Sequence, residues 1–178
     1  CTYTKLNTNE SPFPPAPGVM EAISRAEVSC LNLYPDPTAQ DLEAAITRRD
    51  GLDASQVIAG NGSDEILAFC FQAFCDSETG VCFPDITYGF YKVYAKLYGI
   101  DALRMPLVDD FAIAPDAYEG IRRTIFIANP NAPTGRALAL DELERIIRAN
   151  QDSVVVIDEA YVDFGAESAV PLLAKYDN

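Results

Sequence analysis

Short apolar, β-branched runs alternate with helix-period windows along most of this chain, and that alternation limits its fold more than any other feature. Val57–Ala59, Gly80–Phe83, Ala102–Met105, Thr124–Ala128 and Val154–Ile157 have the length and composition of strands. Between them, Glu65–Phe74 is apolar enough for a buried helix, and Phe90–Tyr98 has helical spacing. Leu140–Asn150 carries a stripe of Leu143, Ile146 and Ile147, which predicts an amphipathic helix. Strands alternating with helices predict an α/β layer fold with a mostly parallel sheet. Val154–Ile157, apolar on both faces, suits a central strand of that sheet.

Upstream, Cys1–Gly18 is rich in Pro, Asn and Thr and reads as an extended arm. Pro17 then introduces a helical pattern, Gly18–Val28. After the turn cluster Tyr34-Pro35-Asp36-Pro37, Thr38 is placed to cap a helix reaching Asp50, with Leu42, Ala45 and Ile46 on one face.

Composition narrows the chemistry. The 178 residues are 49% hydrophobic, enough for the core of about one domain. Net charge is −14, a field that repels nucleic-acid backbones, so an anionic ligand must be held by local donors. There is no His, which removes Ser-His-Asp and Cys-His catalysis and the commonest zinc ligand sets. Five scattered Cys without a C-x-x-C pair suit a reduced, cytoplasmic protein, with Cys70, Cys75 and Cys82 as small buried hydrophobes. No apolar run is long enough to span a bilayer and no secretory leader is visible. The chain opens on Cys1 rather than Met, so residues are expected before it.

In parallel α/β sheets, ligands bind beyond the carboxyl ends of the strands. Gly60-Asn61-Gly62-Ser63-Asp64-Glu65 follows the first strand candidate. Its glycines bring backbone close, Ser63 or Asp64 can cap the next helix, and helix-start N–H groups suit a phosphate; a plain capped turn uses the same residues. Asn129-Pro130-Asn131-Ala132-Pro133-Thr134-Gly135 is a stiff loop whose Asn amides are expected to face a ligand, unless it is only a rigid turn. Asp158, at the end of an apolar run, needs a cationic or hydrogen-bonding partner; its alternative is a helix cap. Tyr88 can stack on a flat ring, although nine Tyr make ordinary packing the default for any one of them. An anion cradle, a flat aromatic, an amide-bearing loop and a buried carboxylate together describe a site for pyridoxal phosphate.

Leu6-Asn7-Thr8-Asn9-Glu10, Leu33-Tyr34-Pro35-Asp36, Gly60–Glu65, Asn129–Gly135 and Asp158-Glu159-Ala160-Tyr161 form an ordered set. By them the chain resembles the class I/II, fold type I pyridoxal-phosphate aminotransferases, most closely the histidinol-phosphate aminotransferases, and looks like their N-terminal half. The resemblance implies a three-layer sandwich, with an arm and first helix over residues 1–33 and a partial cofactor-binding large domain over 34–178. It implies that Gly62, Ser63 and Asp64 hold the cofactor phosphate and that Tyr88 stacks on the pyridine ring. Asp158 would pair with the ring nitrogen, Tyr161 would meet the phenolic oxygen, and Asn9 would lie near the substrate. Tyr34 would reach the phosphate of a neighbouring subunit, making a homodimer part of the site. The implied reaction is transamination between histidinol phosphate and 2-oxoglutarate in histidine biosynthesis. Threonine-phosphate decarboxylases and aromatic aminotransferases share much of the pattern, and a non-catalytic binding module is an alternative of another class.

Two departures stand out. Ala132 occupies the place where the family carries Asn before Pro-Thr-Gly, so Asn131 or Tyr161 alone would make that contact. The Schiff-base Lys is expected beyond Asn178, since Lys5, Lys92, Lys96 and Lys175 have no Ser-x-x-Lys setting and Lys175 lies in a polar stretch. The 178-residue chain is accordingly expected to be inactive alone. A Rossmann-type site is disfavoured because Glu65 stands where a third glycine is needed.

Overall fold

The computed structural model describes residues 8–26 and 31–178. It divides into two compact units, Cys1–Ala59 and Gly60–Asn178. Leu6, Asn7, Lys5, Cys1 and Cys30 lie outside the described residues.

The first unit carries helices α1, Pro17–Ala26, and α2, Gln40–Asp50. Thr38 does not cap α2. The N-cap is Ala39, in the left-handed region at φ 51°, and its side chain makes no cap bond. Asp36 does that work from outside the helix: its carboxylate accepts from the Thr38 N–H at 3.0 Å, the Thr38 hydroxyl at 2.8 Å and the Gln40 N–H at 2.8 Å. Those donors hold the Asp36 carboxyl below the usual carboxylate range. Leu42 is exposed, so the inner face expected for α2 is not buried. Val57–Ala59 forms no strand either. No ladder takes its backbone, and the Ala59 N–H donates to the Glu43 carboxylate at 3.1 Å instead.

The second unit is built on a four-stranded parallel sheet in the order β2-β1-β3-β4. Its elements are α3, Gly62–Phe74; β1, Val81–Pro84; α4, Phe90–Leu97; β2, Ala102–Met105; β3, Thr124–Ala128; α5, Leu140–Ala149; and β4, Val155–Asp158. Strands β1 and β3 are buried along their whole length, as apolar runs covered on both faces should be. Successive residues point to opposite faces, which sorts the core. Cys82, Ile125 and Ile127 pack with Leu143, Ile146 and Ile147 of α5. Val81, Phe83, Phe126 and Ala128 pack with Leu67 and Phe71 of α3 and Tyr91, Tyr94 and Ala95 of α4. Helices on both faces make three layers.

Two local features fix the sheet's ends. Gly80 enters β1 at φ +68°, where an added Cβ would lie 3.0 Å from the Asp101 carbonyl oxygen, so only glycine fits. Strand β4 is half-buried and, among the described residues, is the sheet's edge, not the central strand its sequence suggested. Periodicity reports that both faces are apolar; it does not report how many neighbours a strand has.

Candidate active site

The carboxyl ends of β3 and β4, the segment after β1 and the start of α3 meet at one small cavity. Ser63 from α3 and Tyr88 from the β1–α4 connection line it, with Ala128 and Ala132 from the end of β3 and its loop. Asp158, Ala160 and Tyr161 complete it from the end of β4. Three alanines keep the walls close to the backbone.

Helix α3 starts open to a ligand. Gly62 adopts φ +79°, its N–H turns back to the Gly60 carbonyl at 3.0 Å, and no side chain caps the helix. Ser63 and Asp64 therefore sit inside the first turn rather than at the cap, which is Asn61. Amides of a first turn have no preceding turn to accept from them, and the helix dipole adds positive potential there. The Glu65 carboxylate accepts the Asn61 N–H at 2.6 Å, outside the helix. Asp64 adds a second carboxylate beside this anion cradle, but the Tyr88 hydroxyl donates to its Oδ1 at 2.6 Å. Burial, then that bond and charge, push the Tyr88 phenol above its ordinary range, so it remains a donor.

Asp158 is held from two sides. The Tyr91 hydroxyl donates to Oδ2 at 2.7 Å and the Ala160 N–H to Oδ1 at 3.1 Å. The second bond is the local turn foreseen as the alternative role, and it coexists with a place on the cavity wall. A carboxylate can accept about four hydrogen bonds, so two remain for a ligand. Tyr91 is the contact of Asp158 that sequence reasoning missed. Its signal was available: Asp158 required a donor, and Tyr91 stands one turn from Tyr88.

The asparagines of the β3–α5 loop are not turned toward a ligand. Asn129 Oδ1 accepts the Leu138 N–H at 2.7 Å, and its Nδ2 donates to the Leu138 carbonyl at 3.3 Å. Asn131 Nδ2 donates to the Ile86 carbonyl and the Thr134 hydroxyl, both at 3.0 Å, while its Oδ1 accepts from the Thr87 hydroxyl at 2.7 Å. Both side chains are buried and spent on the protein. The loop expected to be poor in hydrogen bonds keeps backbone bonds from Asn129, Asn131 and Gly135, and the two carboxamides add side-chain bonds where the prolines have no N–H to give. Ala132, not Asn131, faces the cavity.

Asn9 and Tyr34 belong to the first unit, where the Tyr34 side chain is fully exposed. Lys175 is exposed and pairs with Glu144 at 3.2 Å, as its polar setting suggested. A wider groove beside β4 is lined by apolar side chains, and its one carboxylate, Glu159, is taken by Ser168 and Ala169. Its other polar side chains, Tyr176 and Asn178, donate to Glu144 and to backbone carbonyls, so the smaller cavity, with Asp158, Tyr88 and Tyr161 on its wall, is the candidate site.

A parallel sheet with ligand-binding groups gathered at its strand ends is the architecture of a cofactor-dependent α/β enzyme. The family model for aminotransferase class I and II matches residues 2–178, and the chain belongs to that family. It is 53% identical over 178 residues to histidinol-phosphate aminotransferase 2 of Dechloromonas aromatica, covering 98% of this chain and 50% of that protein. It is 51% identical over 177 residues to histidinol-phosphate aminotransferase of Brachyspira hyodysenteriae, covering 99% of this chain and 50% of that protein. Among solved structures, the histidinol-phosphate aminotransferase of Sinorhizobium meliloti in complex with pyridoxal-5'-phosphate matches with a TM-score of 0.79 and 25% identity, over 88% of this chain and 44% of that one. The L-threonine-O-3-phosphate decarboxylase of Porphyromonas gingivalis shares the fold, with a TM-score of 0.72 and 23% identity, over 85% of this chain and 45% of that one. The chain spans about half the length of the curated relatives it matches. Among the described residues, no helix is long and apolar enough to cross a membrane.

Proposed function

We propose that this chain forms the cofactor-binding part of a pyridoxal-phosphate-dependent aminotransferase that exchanges the amino group of histidinol phosphate with 2-oxoglutarate in histidine biosynthesis. One observation carries the proposal: an ionisable carboxylate, an aromatic face and an uncapped helix start border a single cavity. The donor set fits the cofactor. Ser63 and Asp64 present first-turn amides to a phosphate, Gly62, whose own N–H is taken by the Gly60 carbonyl, only shapes the turn, and Tyr88 presents its ring. Asp158 has acceptor capacity left for a protonated pyridine nitrogen. When bound, pyridoxal phosphate supplies an electron sink for the substrate carbon that gives up its proton.

The chain's own residues then have distinct tasks. Asp158 keeps a proton on the ring nitrogen by charge pairing in a half-buried setting, where such pairing is stronger than in water. Tyr161 supplies the contact to the phenolic oxygen alone, since Asn131 is committed elsewhere. The Tyr88 ring excludes water from one face of the cofactor. Tyr34, from a second copy in a homodimer, reaches the phosphate, and Asn9 borders the substrate. The unpaired cysteines Cys70, Cys75 and Cys82 fit a cytoplasmic enzyme.

The test is an assay of the complete polypeptide with histidinol phosphate and 2-oxoglutarate. Glutamate should form, and Asp158→Ala should reduce its rate by at least tenfold, the size of one lost charged hydrogen bond, about 1.5–3 kcal/mol. Release of carbon dioxide from threonine phosphate, with no glutamate formed, would overturn the substrate assignment.

A further inference from the structure

We infer that Tyr91 is a positioning residue for Asp158, acting through the 2.7 Å bond from its hydroxyl to Oδ2. The inference rests on the reading of Asp158 as partner of a protonated ring nitrogen. The Tyr91 side chain is wholly buried. Its ring lies 5.8 Å from that of Phe83, 5.6 Å from that of Phe126 and edge-on to Tyr88 at 5.6 Å. A ring wedged among three others in a close-packed core cannot swing its hydroxyl elsewhere. The direction in which Asp158 receives that bond is therefore set by the core.

The phenol also stays a donor. Burial first, then the charge of Asp158, push its ionisation well above the ordinary range. With the Ala160 N–H on Oδ1, two donors grip the carboxylate and leave its remaining lone pairs to the cavity that Asp158 lines. A carboxylate held by these two bonds and aimed into the cavity attracts a ring N–H. Loss of the Tyr91 hydroxyl should thus be felt by a ligand with a basic ring nitrogen and not by the same ligand without one. Tyr88, one turn earlier, donates to Asp64 beside the anion cradle. The start of α4 therefore secures both poles of the site.

The experiment is equilibrium dialysis of the chain and of Tyr91→Phe against pyridoxal phosphate and against the analogue in which carbon replaces the ring nitrogen. The chain should prefer the nitrogen-bearing ligand. Tyr91→Phe should lower that preference on the order of tenfold, with affinity for the analogue unchanged. In an Asp158→Asn background the same substitution should have no further effect, because the hydroxyl acts through the carboxylate. Both ligands are compared on one variant, so a packing defect weakens them equally; such an equal loss would overturn the inference. Failure of the unsubstituted chain to bind pyridoxal phosphate at all would instead overturn the cofactor assignment, and the role of Tyr91 with it.

Discussion

Asn129 and Asn131 carry a stability role that their residue type disguises. Each is buried, and each bonds backbone groups of other segments, Asn129 those of Leu138 and Asn131 the Ile86 carbonyl. Asn129→Ala should destabilise the chain by about 1–3 kcal/mol, because it strands the Leu138 N–H and carbonyl in a buried place. Urea unfolding at neutral pH measures this, and an unchanged midpoint would contradict it. The cost should appear without any ligand present, which separates a structural asparagine from a binding one. Sequence could show that Asn and Pro alternate here; it could not show which way the carboxamides turn. That Asp158, Ser63, Tyr88 and Tyr161 would come to one cavity was legible for the opposite reason. Their positions at strand ends and a helix start follow from the α/β alternation itself. For Tyr91 the need was legible, a donor for Asp158, but the pairing was not, because the bond spans 67 positions, from α4 to the end of β4.

At the scale of elements, β1 shows what an apolar run means once it is covered on both faces. Cys82 is fully buried in it, and burial raises its thiol to about 12, while that of Cys75, after α3, rises to about 11. Both values lie above the unfolded value of 9.0, so the folded chain holds protons that the unfolded chain releases as pH passes 9.0. Their contribution is fully present below that pH and is lost as pH rises through the folded values. Unfolding midpoints followed from neutral into the alkaline range should fall, and Cys82→Ala should show a shallower fall from its own neutral value. Identical slopes for both proteins would exclude Cys82 as a cause. The helix α5 and strand β3 were readable from periodicity because packing reinforces local preference there. The strand expected at Val57–Ala59 failed because extended conformation without a neighbouring ladder is not a strand, and neighbours are a tertiary fact.

For the whole molecule, charge opposes the ligand that the site is built to take. The net charge of −14 sets a repulsive field around a phosphate-bearing cofactor, whereas the α3 amides act over a hydrogen-bond length. Salt screens these two effects unequally. Charges spread over the surface are screened within about 10 Å at 0.1 M ionic strength, while short contacts inside a cavity are screened far less. Adding salt should therefore remove repulsion without removing the grip. Association of pyridoxal phosphate with the chain should speed up as salt is raised, whereas pyridoxal, which lacks the phosphate, should be nearly indifferent. Stopped-flow measurement of both ligands across a salt series distinguishes the cases. If pyridoxal phosphate instead binds more slowly as salt rises, cationic side chains steer it, and the helix start is not the dominant anchor.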